Sequence, residues 1–450
     1  MSESRAKFTS GSTMRHVVVM TTSGMIGMTF MFLVDAVTLF WVSQLEVEMF
    51  MAAISFAWAI QFFTIAFAVG FMIAAAALVA RSLGQEKFEQ ARKQASVSIV
   101  ITLGFLSLLS AIICIFRVEI LTMVGASGES LETAALFLLI SVPTLPFMGL
   151  GMIGSSILRA EGDALRSMAG TMSTGAVAMI VDPLFIFGFD MGVQGAALGI
   201  SVSRILSAAL VMYFVIVTKN LFGRINGEDI RIWWRPFAII LLPTIVTQLA
   251  SPTGNLIATE FISEFGEAAV AGWGIMNRVL ILAFGGVFSL SAAIGGIIGQ
   301  NYGALLFDRV RTSYRDAMIF STIYVSVVWM LLMLLNPVIL SIFNASDAAG
   351  EVVQAFNFIA AGGFIFAGFL YVSNASFNNL GKPIYSTYCN WIKDGICIYP
   401  LCLICTASFG AVGVVYAVAL AWVISGTIAG IWGWRFIDRA QSRALTSART

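Results

Sequence analysis

Short polar stretches cut this sequence into apolar runs too long for the core of a water-soluble domain. The first run, Val17 to Val42, has 26 residues and one charge, Asp35, in MFLVDAVTLF. At 1.5 Å per residue a helix of that length spans about 39 Å, more than the roughly 30 Å of bilayer hydrocarbon. Twelve such runs can be counted, at 17–42, 50–80, 96–116, 133–158, 168–188, 193–217, 237–262, 272–298, 317–341, 354–379, 385–408 and 411–434. Hydrophobic residues make up 59% and charged residues 11%, a balance that belongs to no soluble class. The ten-residue alternation of a membrane β-barrel is missing. The expectation is an all-α integral membrane protein with 12 transmembrane helices.

Basic residues orient the spans. With the N-terminus inside, 21 of the 25 Lys and Arg fall in inside segments and only Arg117 outside; Arg204, Arg278 and Lys393 lie within or at the edge of spans. One missed span would scramble that asymmetry, so both termini are expected to be cytoplasmic. The polar N-terminus precedes a span too long for a signal-peptide core, and no cleavage is expected. Net charge is +1, which points to no nucleic-acid partner. The five cysteines fall in apolar runs without metal spacing and read as buried reduced thiols. No nucleotide-binding motif and no cofactor signature appear, and the single histidine, His16, gives no basis for an intramembrane metalloenzyme. It reads as an interfacial residue.

The chain repeats itself at an offset of 219. ARSLGQEKFEQAR from Ala80 aligns with GQNYGALLFDRVR from Gly299, so that Gly84 meets Gly303, Phe88 meets Phe307 and Arg92 meets Arg311. The same offset sets Gly162 of RAEGDALRS on Gly381 of NNLGKPIYS. Six spans per half make the halves parallel: two six-helix bundles related by a pseudo-two-fold axis along the membrane normal. The expected boundaries are an N-terminal lobe at 1–220, a cytoplasmic linker at 221–236 and a C-terminal lobe at 237–450. Pro143, Pro146, Pro183, Pro243, Pro252 and Pro400 mark places where spans bend, each removing a backbone donor.

A carboxylate in hydrocarbon costs about 2.5 kcal/mol or more, so intramembrane acids read first as functional. Asp35 in the first run and Asp182, in IVDPLFIF of the fifth, are the clearest. Two such acids in one lobe could share a proton near neutral pH. Thr38 lies one turn from Asp35 and is placed to hydrogen-bond it. The structural alternative is a pairing with Arg204, which would hold Asp182 ionised. Lys393 and Asp394 adjoin in the eleventh span but point about 100° apart on a helix, so their adjacency does not require a pair; with Glu260 they are auxiliary candidates for coupling or for lining a cavity. Met31 and Phe32, on the turn before Asp35, are candidate cleft residues, since Met and aromatic surfaces adapt to varied apolar solutes.

LVDAVTLFWVSQL, RSLGQ, LRAEGD, VDPLFIFG, GQNYGA and NNLGKP, spread in order over both halves, resemble the multidrug and toxic compound extrusion (MATE) family, bacterial type. The resemblance implies a secondary antiporter of the bacterial inner membrane, not an enzyme, that exports organic cations or amphipathic compounds in exchange for H⁺ or Na⁺. Its small-molecule substrates and the lipid bilayer are then its partners, and a monomer is sufficient. Residue by residue, Asp35 and Asp182 fall on the acidic positions of the family's first and fifth helices, which form an ion site in related members. Where the cation-liganding pattern has Asn and Thr, this chain has Ala178 and Ile200. The acids of the family's second site are missing from the tenth span, and Glu260 is out of register. A hard cation needs several oxygen ligands, so the reading is proton coupling, with a Na⁺-coupled exporter or a lipid-linked oligosaccharide flippase as alternatives.

Overall fold

The structure, a computed structural model, describes residues 6–43 and 48–447, without the side chains of 35–36, 39–40, 42–43, 48–52 and 443–447. Its helices are α1 Thr13–Ser43, α2 Glu48–Gly84, α3 Phe88–Ile115, α4 Arg117–Met123, α5 Gly128–Ser141, α6 Leu145–Glu161, α7 Ala164–Pro183, α8 Gly192–Tyr213 and α9 Gly227–Ser263. They continue as α10 Glu267–Ala283, α11 Gly285–Gly303, α12 Phe307–Ile342, α13 Asp347–Phe358, α14 Phe364–Asn379, α15 Ile384–Trp391, α16 Ile398–Phe409 and α17 Ala411–Ser447. Among the described residues, eleven helical runs are long and apolar enough to cross a membrane. The pair α10 and α11, bent by 46°, makes a twelfth when counted as one span.

Several bends follow the prolines. Pro143 and Pro146 lack the N–H that would continue α5, and a 3₁₀ turn, Val142–Thr144, joins it to α6. Pro183 ends α7, and the chain continues in the wide i→i+5 register over Leu184–Gly188. A similar wide turn, Ile392–Cys397, lies between α15 and α16, just before Pro400. Pro243 and Pro252, by contrast, sit inside the unbroken α9.

Contacts divide the described residues into two compact units, one of Ile26–Leu241 and one of residues 242–447 with Ala6–Met25. This division departs from the expected boundaries in two places, for visible reasons. Residues 6–25 group with the second unit because Phe8 is 2% exposed there. Its N–H donates to Gln300 Oε1 at 2.9 Å, and Arg309 donates to the carbonyls of Phe8, Ser10 and Gly11. The expected linker is not a free tether. Its second half is already helical from Gly227, and Lys93 pairs with Asp229 at 2.9 Å while Ser96 Oγ accepts from the Gly223 N–H at 2.8 Å.

The 219-residue repeat is written into the turns. Glu86 and Leu305 both adopt left-handed φ, 58° and 59°, and Gly162 and Gly381 do so at 88° and 86°. Each is followed by the same helix-closing bond: Lys87 N–H to Ser82 O, Leu306 to Asn301, Asp163 to Leu158 and Lys382 to Phe377. Each unit has its own apolar core. In the first, Ile54, Phe137, Leu138, Leu145 and Ile186 cluster. In the second, Phe284 stacks on Phe364 at 4.3 Å, with the Trp422 ring edge-on at 4.5 Å.

Candidate functional site

Helices in lipid pack through small residues, because apolar side chains gain nothing there by leaving lipid for each other. In the first unit, Gly27 of α1 lies against Thr171 and Met168 of α7, and Gly175 of α7 lies against Phe30 and Val34 of α1. This close approach brings α1 to the end of α7, where Asp182 is 1% exposed. Thr38 Oγ1 donates to Asp182 Oδ2 at 2.6 Å. Oδ1 is buried without a hydrogen-bond partner among the described residues. Gly199 of α8 makes room for it, since a Cβ there would press on the carboxyl group. Thr38 was expected to serve Asp35; its hydroxyl instead reaches Asp182. The Asp35 carboxylate lies outside the described residues, although its backbone position is one helical turn from Thr38.

Arg204, the alternative partner for Asp182, does not pair with it. It turns elsewhere: Nη2 donates to Gln61 Oε1 at 2.6 Å and Nη1 to the Ser141 carbonyl at 3.1 Å. That carbonyl is available because α5 ends at Ser141, ahead of the proline-bearing turn. Gln61 was not singled out in the sequence, although a lone amide in AWAIQFFTIAF was its signal. A buried amide and a freed carbonyl solvate a guanidinium without neutralising it, which leaves Asp182 to its hydroxyl. Ile200, one turn before Arg204, packs on the apolar cluster with Ile186 and Ala197.

In the second unit Lys393 and Asp394 do form a pair, Nζ to Oδ1 at 2.8 Å, with both side chains under 10% exposed. They lie in the wide turn Ile392–Cys397, where helical spacing no longer holds them apart, and the flexible Lys stem closes the remaining gap. Ser251 Oγ of α9 reaches Asp394 Oδ2 at 3.4 Å, and Gly254 leaves the space the carboxylate fills. Glu260 is exposed and stands apart from this pair; Met31 and Phe32 are half-buried. All five cysteines are free; Cys114 and Cys397 are only half-buried, because they sit at the edge of their packed clusters. His16 Nε2 donates to the Ser10 carbonyl at 2.8 Å, and the ring packs edge-on to Phe8.

The remaining sequence motifs brace turns. In RAEGD, Lys219 Nζ contacts Glu161 Oε2 at 3.0 Å and Asp163 Oδ2 at 2.8 Å, and Asp163 also accepts from the Arg166 backbone and side chain. Burial alone would raise the Asp163 carboxyl, but Lys219 and Arg166 outweigh it and hold it at about 2. In turn the two acids raise the Lys219 ammonium against the opposing effect of burial. In RSLGQ, Ser82 Oγ donates to Gln94 at 2.7 Å, and in NNLGKP, Asn378 Oδ1 accepts from Ser386 at 3.1 Å.

The first unit is thus a bundle of membrane-length helices holding a buried carboxylate, and comparison with known proteins gives the chain a family. The MatE family model matches residues 24–184 and 243–404, one block in each half. The chain is 26% identical over 415 residues to the multidrug export protein MepA of Staphylococcus aureus, covering 88% of each chain. It is 24% identical over 394 residues to an FAD transporter of Shewanella oneidensis, covering 86% of this chain and 87% of that one. Its fold matches the crystal structure of a mutant of the Vibrio cholerae MATE transporter VcmN with TM-score 0.89 at 22% identity, over 97% of both chains. The chain belongs to the MatE family, that of the multidrug and toxic compound extrusion (MATE) transporters. It is a multi-pass membrane exporter driven by ion antiport, and not an enzyme.

Proposed function

We propose that this protein exports organic cations and amphipathic compounds from the bacterial cytoplasm across the inner membrane, in exchange for protons, with Asp182 and Asp35 as the coupling groups. The observation that carries the reading is the Asp182 carboxylate. It is buried, has one hydroxyl donor, Thr38, and keeps its other oxygen unpartnered among the described residues. A hydrogen bond to an ionised oxygen is about twice as strong as one between neutral groups. Protonation of Asp182 therefore loosens α1 from α7, and deprotonation tightens it. Asp35 lies one turn before Thr38 on α1. Ile200 supports protons over Na⁺, since its side chain joins an apolar cluster where a cation cage needs an oxygen. Met31 and Phe32, on the preceding turn of α1, are the proposed contacts for an apolar solute. The names of the two relatives, a multidrug exporter and an FAD transporter, support a solute that combines apolar rings with charge. The basic-residue asymmetry supports termini that both face the cytoplasm. Alternating motion of the N- and C-terminal six-helix lobes completes the cycle, and one chain suffices.

The test is ethidium transport in proteoliposomes with ΔpH and a Na⁺ gradient imposed separately, for wild type, Asp35→Asn and Asp182→Asn. Transport driven by ΔpH alone and lost in both variants is the expected result. A requirement for Na⁺, or undiminished ΔpH-driven transport in both variants, overturns the proton site.

A further inference from the structure

The second unit carries a groove of about 370 Å³ between α12, α14 and α17, walled by Met318, Phe366, Phe369 and Ile431 and ending at Trp434 and Arg435. Thr427, Ile431 and Arg435 are exposed at i, i+4 and i+8, so they form one stripe along α17, about 12 Å long. Gly430 opens the groove floor, where a Cβ would touch Met318 Cε at 3.5 Å. The groove is apolar along its length and cationic at one end. At that end the Arg311 guanidinium lies over the Trp434 ring, 4.7 Å from its centroid, and reaches Asp438 at 3.6 Å. Arg435 is exposed and has no carboxylate partner among the described residues, so Arg311, Arg435 and Asp438 bring two positive charges and one negative to this end of α17. A net positive charge remains.

In a membrane protein, Trp and Arg at one level mark the boundary between hydrocarbon and headgroups. A groove that begins there and runs into the hydrocarbon has the shape of one acyl chain hanging from one phosphate. An apolar crevice left empty forfeits contacts along its whole lining, so lipid must fill it; the arginines select which lipid. We propose that this groove is a binding site for an anionic phospholipid, with the phosphate between Arg435 and Arg311 and an acyl chain along Met318, Phe369 and Ile431. The inference rests on the membrane assignment and is independent of the coupling residues.

The experiment is lipid titration of the purified full-length protein in a neutral detergent, read by native mass spectrometry. Phosphatidylglycerol, phosphatidylcholine and glycerol 1-phosphate are the probes, with Arg435→Gln and Ile431→Trp as variants. Wild type is expected to retain phosphatidylglycerol about five- to tenfold better than phosphatidylcholine, the scale set by one or two basic groups at an anionic headgroup. Arg435→Gln should remove that preference while still binding both lipids weakly. Ile431→Trp, which fills the apolar wall, should lower retention of both. Both variants change exposed side chains, and circular dichroism checks their folding. Equal retention of the two lipids by wild type, an unchanged preference in Arg435→Gln, or binding of glycerol 1-phosphate as tight as that of the lipid would each overturn the site.

Discussion

Replacing Gly199 by Ala probes the Asp182 site while leaving both acidic residues in the sequence. The new Cβ would lie 3.1 Å from the Asp182 carboxyl carbon and 3.4 Å from its Cα, with Oδ1 nearer still. The group in the way is the end of a side chain, so it can swing aside. Swinging aside takes Oδ2 from the Thr38 hydroxyl, a charge-assisted bond worth about 1.5–3 kcal/mol. That is about 10- to 100-fold in the equilibrium between the two states of the α1–α7 contact. Gly195→Ala, one turn earlier on α8, is the control. Its Cβ would meet the Phe185 backbone at 2.7 Å and the Ile186 nitrogen at 2.8 Å. Backbone cannot swing aside, so the helices must separate, at a cost of about 1–3 kcal/mol in stability. The assay pairs ΔpH-driven ethidium transport per folded molecule with thermal melting in detergent. Gly199→Ala should lose transport by roughly 10- to 100-fold with a modest melting shift, and Thr38→Val should resemble it. Gly195→Ala should melt earlier yet transport near the wild-type rate once normalised. Wild-type transport and an unchanged pH profile in Gly199→Ala would refute the idea that the Asp182–Thr38 contact carries coupling.

Three further outcomes are expected. The Asp163 carboxyl lies at about 2, below the roughly 3.9 of a free Asp. Its contribution to stability is therefore fully present above about pH 4 and lost as pH falls through about 2; melting between pH 5 and 2 should steepen in wild type and flatten in Asp163→Asn. Lys393→Met strands the buried Asp394 carboxylate and should destabilise by about 3–5 kcal/mol, whereas Lys393→Met with Asp394→Leu should recover most of that loss in a double-mutant cycle. Gln61→Leu removes an acceptor from the buried Arg204 guanidinium and should cost about 1.5–3 kcal/mol in melting experiments, with Gln61→Glu tolerated because it supplies a countercharge.

The architecture was legible because it rests on one-dimensional rules. Twelve apolar runs follow from bilayer thickness. The 219-residue offset returned as matched left-handed turns at Glu86 and Leu305 and at Gly162 and Gly381, since a turn that closes a helix is local. Even the eighth span, bent at Phe284, kept its place in the count. Both intramembrane acids of the first unit were visible as lone charges in apolar text.

What the sequence could not decide was which polar group answers which. Thr38 is three residues from Asp35 yet bonds Asp182, 144 positions away, because Gly27 and Gly175 bring α1 and α7 close enough for a hydroxyl to cross. Arg204 leaves Asp182 for Gln61 and a carbonyl at the end of α5. Lys393 and Asp394 meet because a wide turn changes the spacing that a regular helix would impose. The N-terminal residues group with the second unit through Phe8 and Arg309, some 300 positions apart. A buried polar group in lipid must find a partner, and its own helix offers few. The need for a partner is written in the sequence; the identity of the partner is set by helix packing, which only the folded chain determines.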